Sequence, residues 1–439
     1  MQICIVALGK IGLPLAVQFA QRGHEVIGAD VDRRVVDLVN RGEVPFPGEA
    51  ELDSRLREVV ESKRLTATLD TTEAVSRSEA VVVVVPLLVD AAGTPDFRAM
   101  DAATDAIAKG LRPGTLVSYE TTLPVHTTRE RFTPRLAEVS GLRPGQDLFV
   151  CHSPERVFSG RIFADLRRYP KLVGGIDPES ARRAVELYEA VLEFDERPDL
   201  DRPNGVWDLG SAEAAELAKL AETTYRDVNI ALANEFARFA DRVGIDVHAV
   251  IEASNSQPYS HVHSPGIAVG GHCIPVYPRF YLSGDPEARI PAVAREVNEG
   301  MPAYAVDALA DAVGGLNGLR VVVLGLAYRG GVKETAFSGA MPVVEHLRRR
   351  GAVVTVHDPL YTDQEIRSYG FEPHQLGQGC DAAILQADHA EYLTLGADAL
   401  PGVRALVDGR HVVDPRPWSA AGVEVITLGA GGRWRSDEP

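Results

Sequence analysis

The N-terminal stretch up to Asp30 constrains the fold more than any other part of the chain. An apolar run at residues 3–8 predicts a short buried strand, and a glycine loop at residues 9–12 follows it directly. Apolar residues then recur at helical spacing, and a second apolar run at residues 25–29 leads into Asp30. This order of strand, glycine turn, helix, strand and acid predicts the first βαβ unit of a doubly wound α/β domain.

The same unit predicts a dinucleotide site. Pyrophosphate groups bind at helix N-termini, and a carboxylate roughly 20 residues after the glycine loop holds the adenosine ribose of NAD. Asp30 lies 18 residues beyond Gly12. Because Ala7 occupies the first position of the glycine pattern, the loop alone also fits a βα turn without a ligand, and the acid favours NAD. The predicted cofactor-binding residues of this unit are Gly9, Lys10, Ile11, Gly12, Asp30 and Arg34.

The acid also favours NAD over NADP, since a carboxylate would repel a 2′-phosphate. Arg33 and Arg34 follow closely in the sequence and weaken this second inference.

Three further apolar runs predict buried strands at residues 80–85, 116–119 and 147–151, with a helix at 101–109. Strands that alternate with helices predict a parallel sheet, and ligands of such sheets bind at the carboxyl ends of the strands. The residues expected at those ends are Pro86, Thr122 and Glu155. Taken singly, Thr122 would fit a helix cap and Glu155 a surface charge, but their shared position makes all three candidates for cofactor binding.

A long helical pattern begins after Ser211, a plausible N-cap, and ends near Gly244. Helices of this length typically join domains and often dimerise. Lys219, Thr223 and Arg226 share one face of this helix by their spacing. Spacing alone favours a solvated charged face for these three residues.

A second strand–glycine–helix unit covers residues 319–350, and predicted strands at 353–356, 382–385 and 405–407 complete a smaller α/β domain. The two units are weakly self-similar. The predicted fold is therefore α/β, with two Rossmann-like doubly wound domains joined by a long central helix. The predicted domain limits are 1–200, 201–312 and 313–439.

Between the two units lies the stretch Gly270-Gly271-His272-Cys273, with Pro275 and Pro278 beyond it. The glycines would let backbone approach a ligand closely, and the prolines predict that no helix follows. For an arbitrary cysteine, a buried structural role is the better expectation. The four cysteines are far apart without paired metal spacing, so we expect no metal site and a reduced, cytoplasmic protein.

The formal net charge of −17 argues against general binding to nucleic acid or to an anionic membrane surface. The sequence also contains no apolar stretch long enough to span a bilayer.

Together these motifs resemble the UDP-glucose/GDP-mannose dehydrogenase family over nearly the whole chain. That resemblance implies an NAD domain, a long helix that forms a homodimer, and a C-terminal domain for a nucleotide-diphosphate sugar. It also implies oxidation of C6 of the sugar from alcohol to carboxylate with two NAD⁺. The matching stretches are residues 9–14, 121–124, 153–157, the helix around Lys219, residues 270–275 and residues 325–328.

The resemblance assigns a role to each candidate. Cys273 is the nucleophile that forms a thiohemiacetal and then a thioester, Lys219 stabilises oxyanions, and Glu155 with Thr122 positions or deprotonates water. Arg329 and Arg410 are candidates for the diphosphate or ribose. The full set of substrate-binding candidates is Lys219, Gly270, Gly271, Tyr259, Arg329 and Arg410.

Four departures from the family pattern are visible. Thr223 replaces a common Asn, Tyr277 a common Asp, and Ala336 a common Arg. The family often supplies an Arg from the partner subunit in the loop before the cysteine, but residues 257–260 contain none. Thr223 and Tyr277 remain catalytic candidates. Because tyrosine has a reference pKa near 10 and is a poor base at neutral pH, we expect catalysis to rely more on Glu155 or to hydrolyse the thioester more slowly.

The string from His272 to Pro275 resembles members that act on UDP-N-acetylhexosamines such as UDP-GlcNAc or UDP-ManNAc, and Val276 stands where glucose-specific members tend to have Lys. UDP-glucose and dTDP-glucose remain alternatives. A non-catalytic relative that binds NAD or nucleotide sugar is an alternative of another class. A two-electron β-hydroxyacid dehydrogenase would leave Cys273 and the C-terminal domain without a role.

Overall fold

We analysed a computed structural model, which describes residues 1–90, 93–158 and 160–431. The chain divides into two compact units. The first contains Met1–Glu222 and Arg279–Asp285, and the second contains Thr223–Pro278 and the chain from Pro286 onward. The three-domain division expected from the sequence stays a prediction.

The first unit is built on an eight-stranded sheet, with a separate two-stranded hairpin, β5–β6. Its strands are β1 (Gln2–Val6), β2 (Glu25–Ala29), β3 (Leu65–Thr68), β4 (Ala80–Val83), β5 (Leu88–Val89), β6 (Pro95–Asp96), β7 (Leu116–Tyr119), β8 (Phe149–His152), β9 (Lys171–Gly175) and β10 (Val206–Asp208). The order in the sheet is β3-β2-β1-β4-β7-β8-β9-β10. All neighbours are parallel except β8 and β9, which pair antiparallel.

Helices separate the strands of this unit. They are α1 (Gly12–Gln21), α2 (Arg33–Asn40), α3 (Leu52–Glu61), α4 (Thr71–Ser76), α5 (Arg98–Gly110), a π-helical turn (Thr127–Phe132), α6 (Thr133–Ser140), α7 (Ile162–Arg168) and α8 (Pro178–Val191). The central strands β1 and β4 are apolar and buried along their length, as expected for a sheet covered on both faces.

Helix α9 (Ala212–Val243) crosses the boundary between the two units. The Ser211 hydroxyl accepts a hydrogen bond from Ala214 N at 3.1 Å, which caps the helix start. Gly244 adopts a left-handed φ of 72° just beyond its end, a common way to stop a helix. Both predicted helix limits are therefore close to the observed ones.

The second unit contains a six-stranded parallel sheet in the order β13-β12-β11-β14-β15-β16. Its strands are β11 (Arg320–Leu324), β12 (Val353–His357), β13 (Glu372–Pro373), β14 (Ala382–Leu385), β15 (Ala405–Asp408) and β16 (Glu424–Thr427). The remaining helices of the chain are α10 (Val247–Ser254), α11 (Tyr277–Gly284), α12 (Arg289–Val313), α13 (Ala340–Arg349), α14 (Asp363–Ser368), α15 (Pro415–Ala420) and the 3₁₀ turns Ala390–Tyr392 and Ala397–Ala399.

The prediction that prolines prevent a helix after Cys273 is wrong. Helix α11 begins at Tyr277, and Pro278 is its second residue. Proline is tolerated there because the first N–H groups of a helix have no intrahelical acceptor. The predicted α/β fold, with two Rossmann-like sheets and a long central helix, is confirmed. Within the described ranges, no helix combines the length and hydrophobicity needed to cross a bilayer.

Candidate functional site

The glycine loop after β1 has the geometry of a phosphate-binding turn. Ala7 adopts a left-handed φ of 77°. A Cβ on Gly12 would lie 1.9 Å from Ala7 O, so helix α1 packs against the loop only with glycine at its first residue. A Cβ on Gly9, in contrast, would have no other described heavy atom within 4 Å. Ile11 precedes α1 and has no side-chain acceptor to cap it, which leaves the helix start suited to an anion.

Asp30 follows β2 beside this loop. Its Oδ2 accepts a hydrogen bond from Leu8 N at 2.7 Å, and its Oδ1 accepts one from Asp32 N at 2.9 Å. Each carboxylate oxygen retains a further lone pair for a ribose hydroxyl. The exposed Arg34 lies in the first turn of α2 and donates its backbone N–H to Asp32. The loop, the helix start and the acid fit NAD.

Val31 is a residue of this site that the sequence analysis missed. It directly follows Asp30, and 94% of its surface is exposed. An exposed apolar side chain beside the predicted ribose-binding acid is a candidate surface for the adenine ring. A lone valine between two aspartates is the only sequence signal for it.

The structure brings Pro86, Thr122 and Glu155 to one edge of the first sheet. They follow the neighbouring parallel strands β4, β7 and β8. Two hydrogen bonds extend the pairing past the strand ends, from Glu120 N to Val83 O and from Ser153 N to Tyr119 O, both 2.9 Å. These bonds hold the three loops at one edge.

Glu155 is held by a buried lysine. Lys171 Nζ lies 2.9 Å from Glu155 Oε2 and 2.8 Å from Glu120 Oε2. Burial raises the pKa of Glu155, but the charge and hydrogen bond of Lys171, together with the N–H of Arg156 and a hydrogen bond with Glu120, hold this pKa below its usual value. Burial raises the pKa of Glu120 to about 7. The sequence analysis missed both partners, although a lysine at the start of an apolar strand is a detectable signal.

The interpretation of Lys219 and Thr223 as a solvated face is wrong. Lys219 is 6% exposed and Thr223 is 2% exposed, one turn apart on α9. Glu216 anchors the same part of the helix, since its carboxylate accepts hydrogen bonds from His126 N and Thr128 N at 2.7 and 2.8 Å. Buried charged groups of this kind are retained only where they are paired or have a function.

Cys273 is the only one of the four cysteines that is not fully buried. Burial raises the pKa of Cys4 and Cys151 to about 12 and that of Cys380 to about 11. These three thiols are inert at neutral pH. The carbonyl of Cys273 accepts the N–H of Tyr277 at 2.9 Å, so the cysteine lies at the turn that leads into α11.

The glycine pair before Cys273 is required by a protein contact. A Cβ on Gly270 would lie 2.6 Å from Tyr328 Cβ, and one on Gly271 would lie 3.1 Å from Tyr328 Cε2. Gly271 N also donates to Ala336 O at 2.8 Å. These contacts place the pair against the loop after β11, which explains both glycines without a ligand.

A buried polar network supports the segment after the cysteine. Arg295 Nη1 donates to Ile274 O at 3.2 Å and to Asp227 Oδ1 at 3.1 Å. Asn298 Nδ2 donates to the same Asp227 oxygen at 2.8 Å, and Asn298 Oδ1 accepts from Asn234 Nδ2 at 2.8 Å. Helices α9 and α12 thus position the peptide that follows Cys273.

Arg410 clamps three loops of the second unit. Its guanidinium donates to the backbone oxygens of Gln386, Ala268 and Tyr328 at 2.6, 3.3 and 3.2 Å. Three of its five N–H donors are therefore used by the protein. Burial lowers the pKa of Arg410.

The other substrate candidates of this unit are more accessible. Arg329 is exposed and donates to the Tyr328 hydroxyl at 3.0 Å. Tyr259 is 92% exposed. Tyr277, a catalytic candidate rather than a substrate-binding one, is half-buried at the first residue of α11.

Three family models match the chain. They describe the UDP-glucose/GDP-mannose dehydrogenase family by its NAD binding domain at residues 1–192, its central domain at 213–299 and its UDP binding domain at 322–417.

Individual proteins are similar over almost the full length. The UDP-N-acetyl-D-mannosamine dehydrogenase of Pyrococcus horikoshii is 36% identical over 427 residues, which cover 95% of this chain and 97% of the relative. The NDP-N-acetyl-D-galactosaminuronic acid dehydrogenase of Ralstonia nicotianae is 32% identical, with 95% and 96% covered. The solved structure of the UDP-D-ManNAc dehydrogenase from Pyrococcus horikoshii matches with a TM-score of 0.87 at 33% identity, covering 99% of this chain and all of that chain.

Proposed function

The chain belongs to the UDP-glucose/GDP-mannose dehydrogenase family of NAD-dependent enzymes, and we propose that it oxidises C6 of a UDP-N-acetylhexosamine to the carboxylate through a thioester on Cys273. The observation that carries the proposal is the accessibility of Cys273, beside three thiols that are buried. A thiol that must attack a substrate has to be reachable, whereas a structural thiol does not.

The proposed chemistry divides into two oxidations and one hydrolysis. Bound NAD⁺ supplies the hydride acceptor for each oxidation. The Cys273 thiolate adds to the aldehyde carbon, which forms a C–S bond and places negative charge on the oxygen. Lys219 stabilises this oxyanion as a fixed positive charge. In the last step water attacks the thioester carbon, the C–S bond breaks, and the thiolate leaves.

Glu155 takes the proton of the attacking water in this proposal, and Thr122 helps to position it. Tyr277 donates a hydrogen bond but does not replace the carboxylate that the family commonly has at its position. The lowered pKa of Glu155 supports this role, because it keeps the carboxylate ionised at neutral pH.

The names of the relatives support an N-acetylhexosamine as the sugar. The Pyrococcus horikoshii protein is named for UDP-N-acetyl-D-mannosamine and the Ralstonia nicotianae protein for an N-acetyl-D-galactosaminuronic acid. We therefore place UDP-ManNAc first among the substrates, ahead of UDP-glucose and dTDP-glucose. A cytoplasmic location is part of the proposal, since Cys273 must remain reduced.

A homodimer through α9 is also part of the proposal. Exposed apolar side chains follow one another along the second half of this helix at steps of seven, four, three and four residues, as in a packing seam: Tyr225, Leu232, Phe236, Phe239 and Val243. A second copy of the same helix is complementary to this stripe, because a two-fold interface pairs one patch with itself.

Phe236→Glu should convert the dimer into a monomer, because it places a charge in the centre of the stripe. Sedimentation velocity measures the change. Val353→Glu is the matched control, since Val353 is an exposed apolar residue of β12 outside α9. Equal masses for the two variants would contradict the α9 interface.

The stoichiometry of NADH tests the proposed reaction. Purified enzyme is incubated with UDP-ManNAc, UDP-GlcNAc, UDP-glucose or dTDP-glucose, and NADH is counted against sugar consumed. We expect two NADH per UDP-ManNAc. One NADH per sugar would exclude the thioester mechanism. No NADH with any sugar, together with unchanged sugar binding by Cys273→Ser, would favour the non-catalytic binder instead.

A further inference from the structure

Glu155 belongs to a buried cluster of three ionisable side chains in the first unit. Lys171 is 4% exposed, Glu120 is 0% exposed and Glu155 is 11% exposed at the side chain. The lysine Nζ lies within 2.9 Å of both carboxylates. The proposed reaction assigns a role to Glu155 but none to the other two.

Regular structure fixes each member of the cluster. Lys171 is the first residue of β9, which pairs antiparallel with β8, and the two acids follow β7 and β8. The Tyr188 hydroxyl on α8 donates to Glu120 Oε1 at 2.6 Å. Lys171 Nζ also lies 4.8 Å from the centre of the Tyr188 ring, a cation–π contact. The cluster is therefore rigid.

The charge balance of the cluster does not serve stability. One lysine balances one carboxylate, and burial raises the pKa of the second acid, Glu120, to about 7, so this acid carries a proton where Glu155 titrates. Replacing such ion clusters by apolar residues often leaves stability unchanged or improves it. The pair of Lys171 and Glu155 therefore calls for a role other than stability.

Both oxygens of Glu155 are oriented. Oε2 accepts from Lys171, and Oε1 accepts the N–H of Arg156 at 2.7 Å. The carboxylate is thereby held ionised in one orientation, with its remaining lone pairs directed away from these donors.

We infer that Lys171 is a positioning residue that orients Glu155 and keeps it ionised. This inference rests on the proposed function. Lys171 acts through Glu155 and does not itself touch the substrate.

The other titratable groups around Glu155 are neutral or paired, so Lys171 is the charge that acts on Glu155. Burial raises the pKa of Cys151 to about 12 and raises that of Tyr188 well above its usual value, so both stay neutral. Burial and the charge of Lys171 lower the pKa of His152 to about 3, so this imidazole is also neutral. Arg156 Nε pairs with Glu222 at 2.8 Å, which balances its charge.

The test is the pH dependence of kcat for uronate formation from UDP-ManNAc. Activity rises with pH as Glu155 loses its proton. Lys171→Met removes the stabilising positive charge and should move this acidic limb to higher pH by about one pH unit or more. Glu120 still carries its proton at the pH of the wild-type limb, so Glu120→Gln should leave the limb at that pH. Lys171→Arg should restore the wild-type limb.

A purely structural role would lower kcat without moving the limb. Lys109→Met is the control for losing a lysine, since Lys109 is exposed in the last turn of α5. If Lys171→Met fails to fold, Lys171→Gln is measured instead, because it also removes the positive charge but keeps a polar side chain.

A limb that stays at the wild-type pH in Lys171→Met, or that moves as far in Glu120→Gln, would overturn the inference. The NADH count in the same assays separates this failure from a failure of the proposed function. Wild-type enzyme that makes two NADH per sugar with unmoved limbs overturns the role of Lys171 alone. Wild-type enzyme that makes no NADH overturns the proposed function and the inference with it.

Discussion

Six strands of each sheet have the same order, but the residues that follow these strands make different contacts in the two units. Strands β3-β2-β1-β4-β7-β8 and β13-β12-β11-β14-β15-β16 follow one arrangement, and an aspartate comes after the second strand in each unit. Asp30 is half-buried and accepts two backbone N–H groups. Asp358 is buried and accepts from Leu326, Ala327 and Leu360, with His389 Nε2 at 3.1 Å.

The loops after the first strands differ as well. Helix α1 begins at Gly12, shortly after β1 ends at Val6, so its N-terminus lies beside the loop. In the second unit β11 ends at Leu324 and α13 begins only at Ala340. The intervening chain carries Tyr328, which packs against the glycine pair before Cys273. A shared topology thus supports dinucleotide binding only where the loop is short and the acid is left accessible.

The largest effect is expected from Asp358→Ala. The change leaves two buried backbone N–H groups, one half-buried N–H group and His389 without their acceptor, so we expect a loss of about 3 kcal/mol or more in the free energy of unfolding. Denaturant unfolding measures it, and the KM for NAD of the remaining folded enzyme should not change. A raised KM for NAD with normal stability would mean that the second acid also serves the cofactor.

Asp30→Ala tests the role of the corresponding aspartate in the first unit. Loss of the carboxylate should raise the KM for NAD roughly 10- to 100-fold, because hydrogen bonds to a charged group contribute about 1.5–3 kcal/mol. Asp32→Ala is the matched control, since Asp32 caps α2 by accepting Arg34 N and should affect stability only. Similar KM values for the two variants would show that Asp30 does not hold the ribose.

Gly9→Ala tests whether the glycine loop after β1 contacts NAD. The added methyl would contact no described protein atom within 4 Å, so stability should hold while the KM for NAD rises roughly tenfold, or about 1.4 kcal/mol. Gly331→Ala is the counterpart after β11, where the surroundings are equally open but φ is 71°. It should cost about 1 kcal/mol of stability through backbone strain and leave the KM for NAD unchanged.

The smallest effect is expected from pH. The pKa of Glu120 rises from 4.5 to about 7 on folding, so the folded state binds the proton more tightly than the unfolded state. The first unit therefore loses stability as pH rises from about 4.5 through 7. Asp358 has a lowered pKa and acts oppositely, since its contribution is lost as pH falls through its folded pKa. Glu120→Gln should flatten the decline of Tm over this range. An unchanged slope of Tm against pH would contradict the raised pKa of Glu120.

The sequence allowed much of the fold to be predicted, because buried parallel strands are short apolar runs. The strands at residues 116–119 and 382–385 have their predicted limits, and Ser211 caps α9 as expected. Helix α11 was missed because proline was read as a breaker, although Pro278 lies in the first turn, where it is tolerated.

The supporting residues of the site were harder to predict than the chemical ones. Cys273 and Asp30 stand beside recognisable motifs, whereas Lys171, Glu120 and Arg295 act through partners distant in sequence. Helical spacing could not show that Lys219 is buried, since burial depends on what packs against that face. Asp358 occupies the sequence position of a ribose-binding acid, and only its hydrogen bonds reveal a structural role.

The most direct test of the covalent mechanism is intact-mass spectrometry of Glu155→Gln after mixing with UDP-ManNAc and NAD⁺. This variant should hydrolyse the thioester slowly, so the enzyme should gain the mass of one UDP-sugar acyl group, and peptide mapping should place it on Cys273. Two NADH formed per sugar without any adduct, or with an adduct on another residue, would contradict Cys273 as the nucleophile.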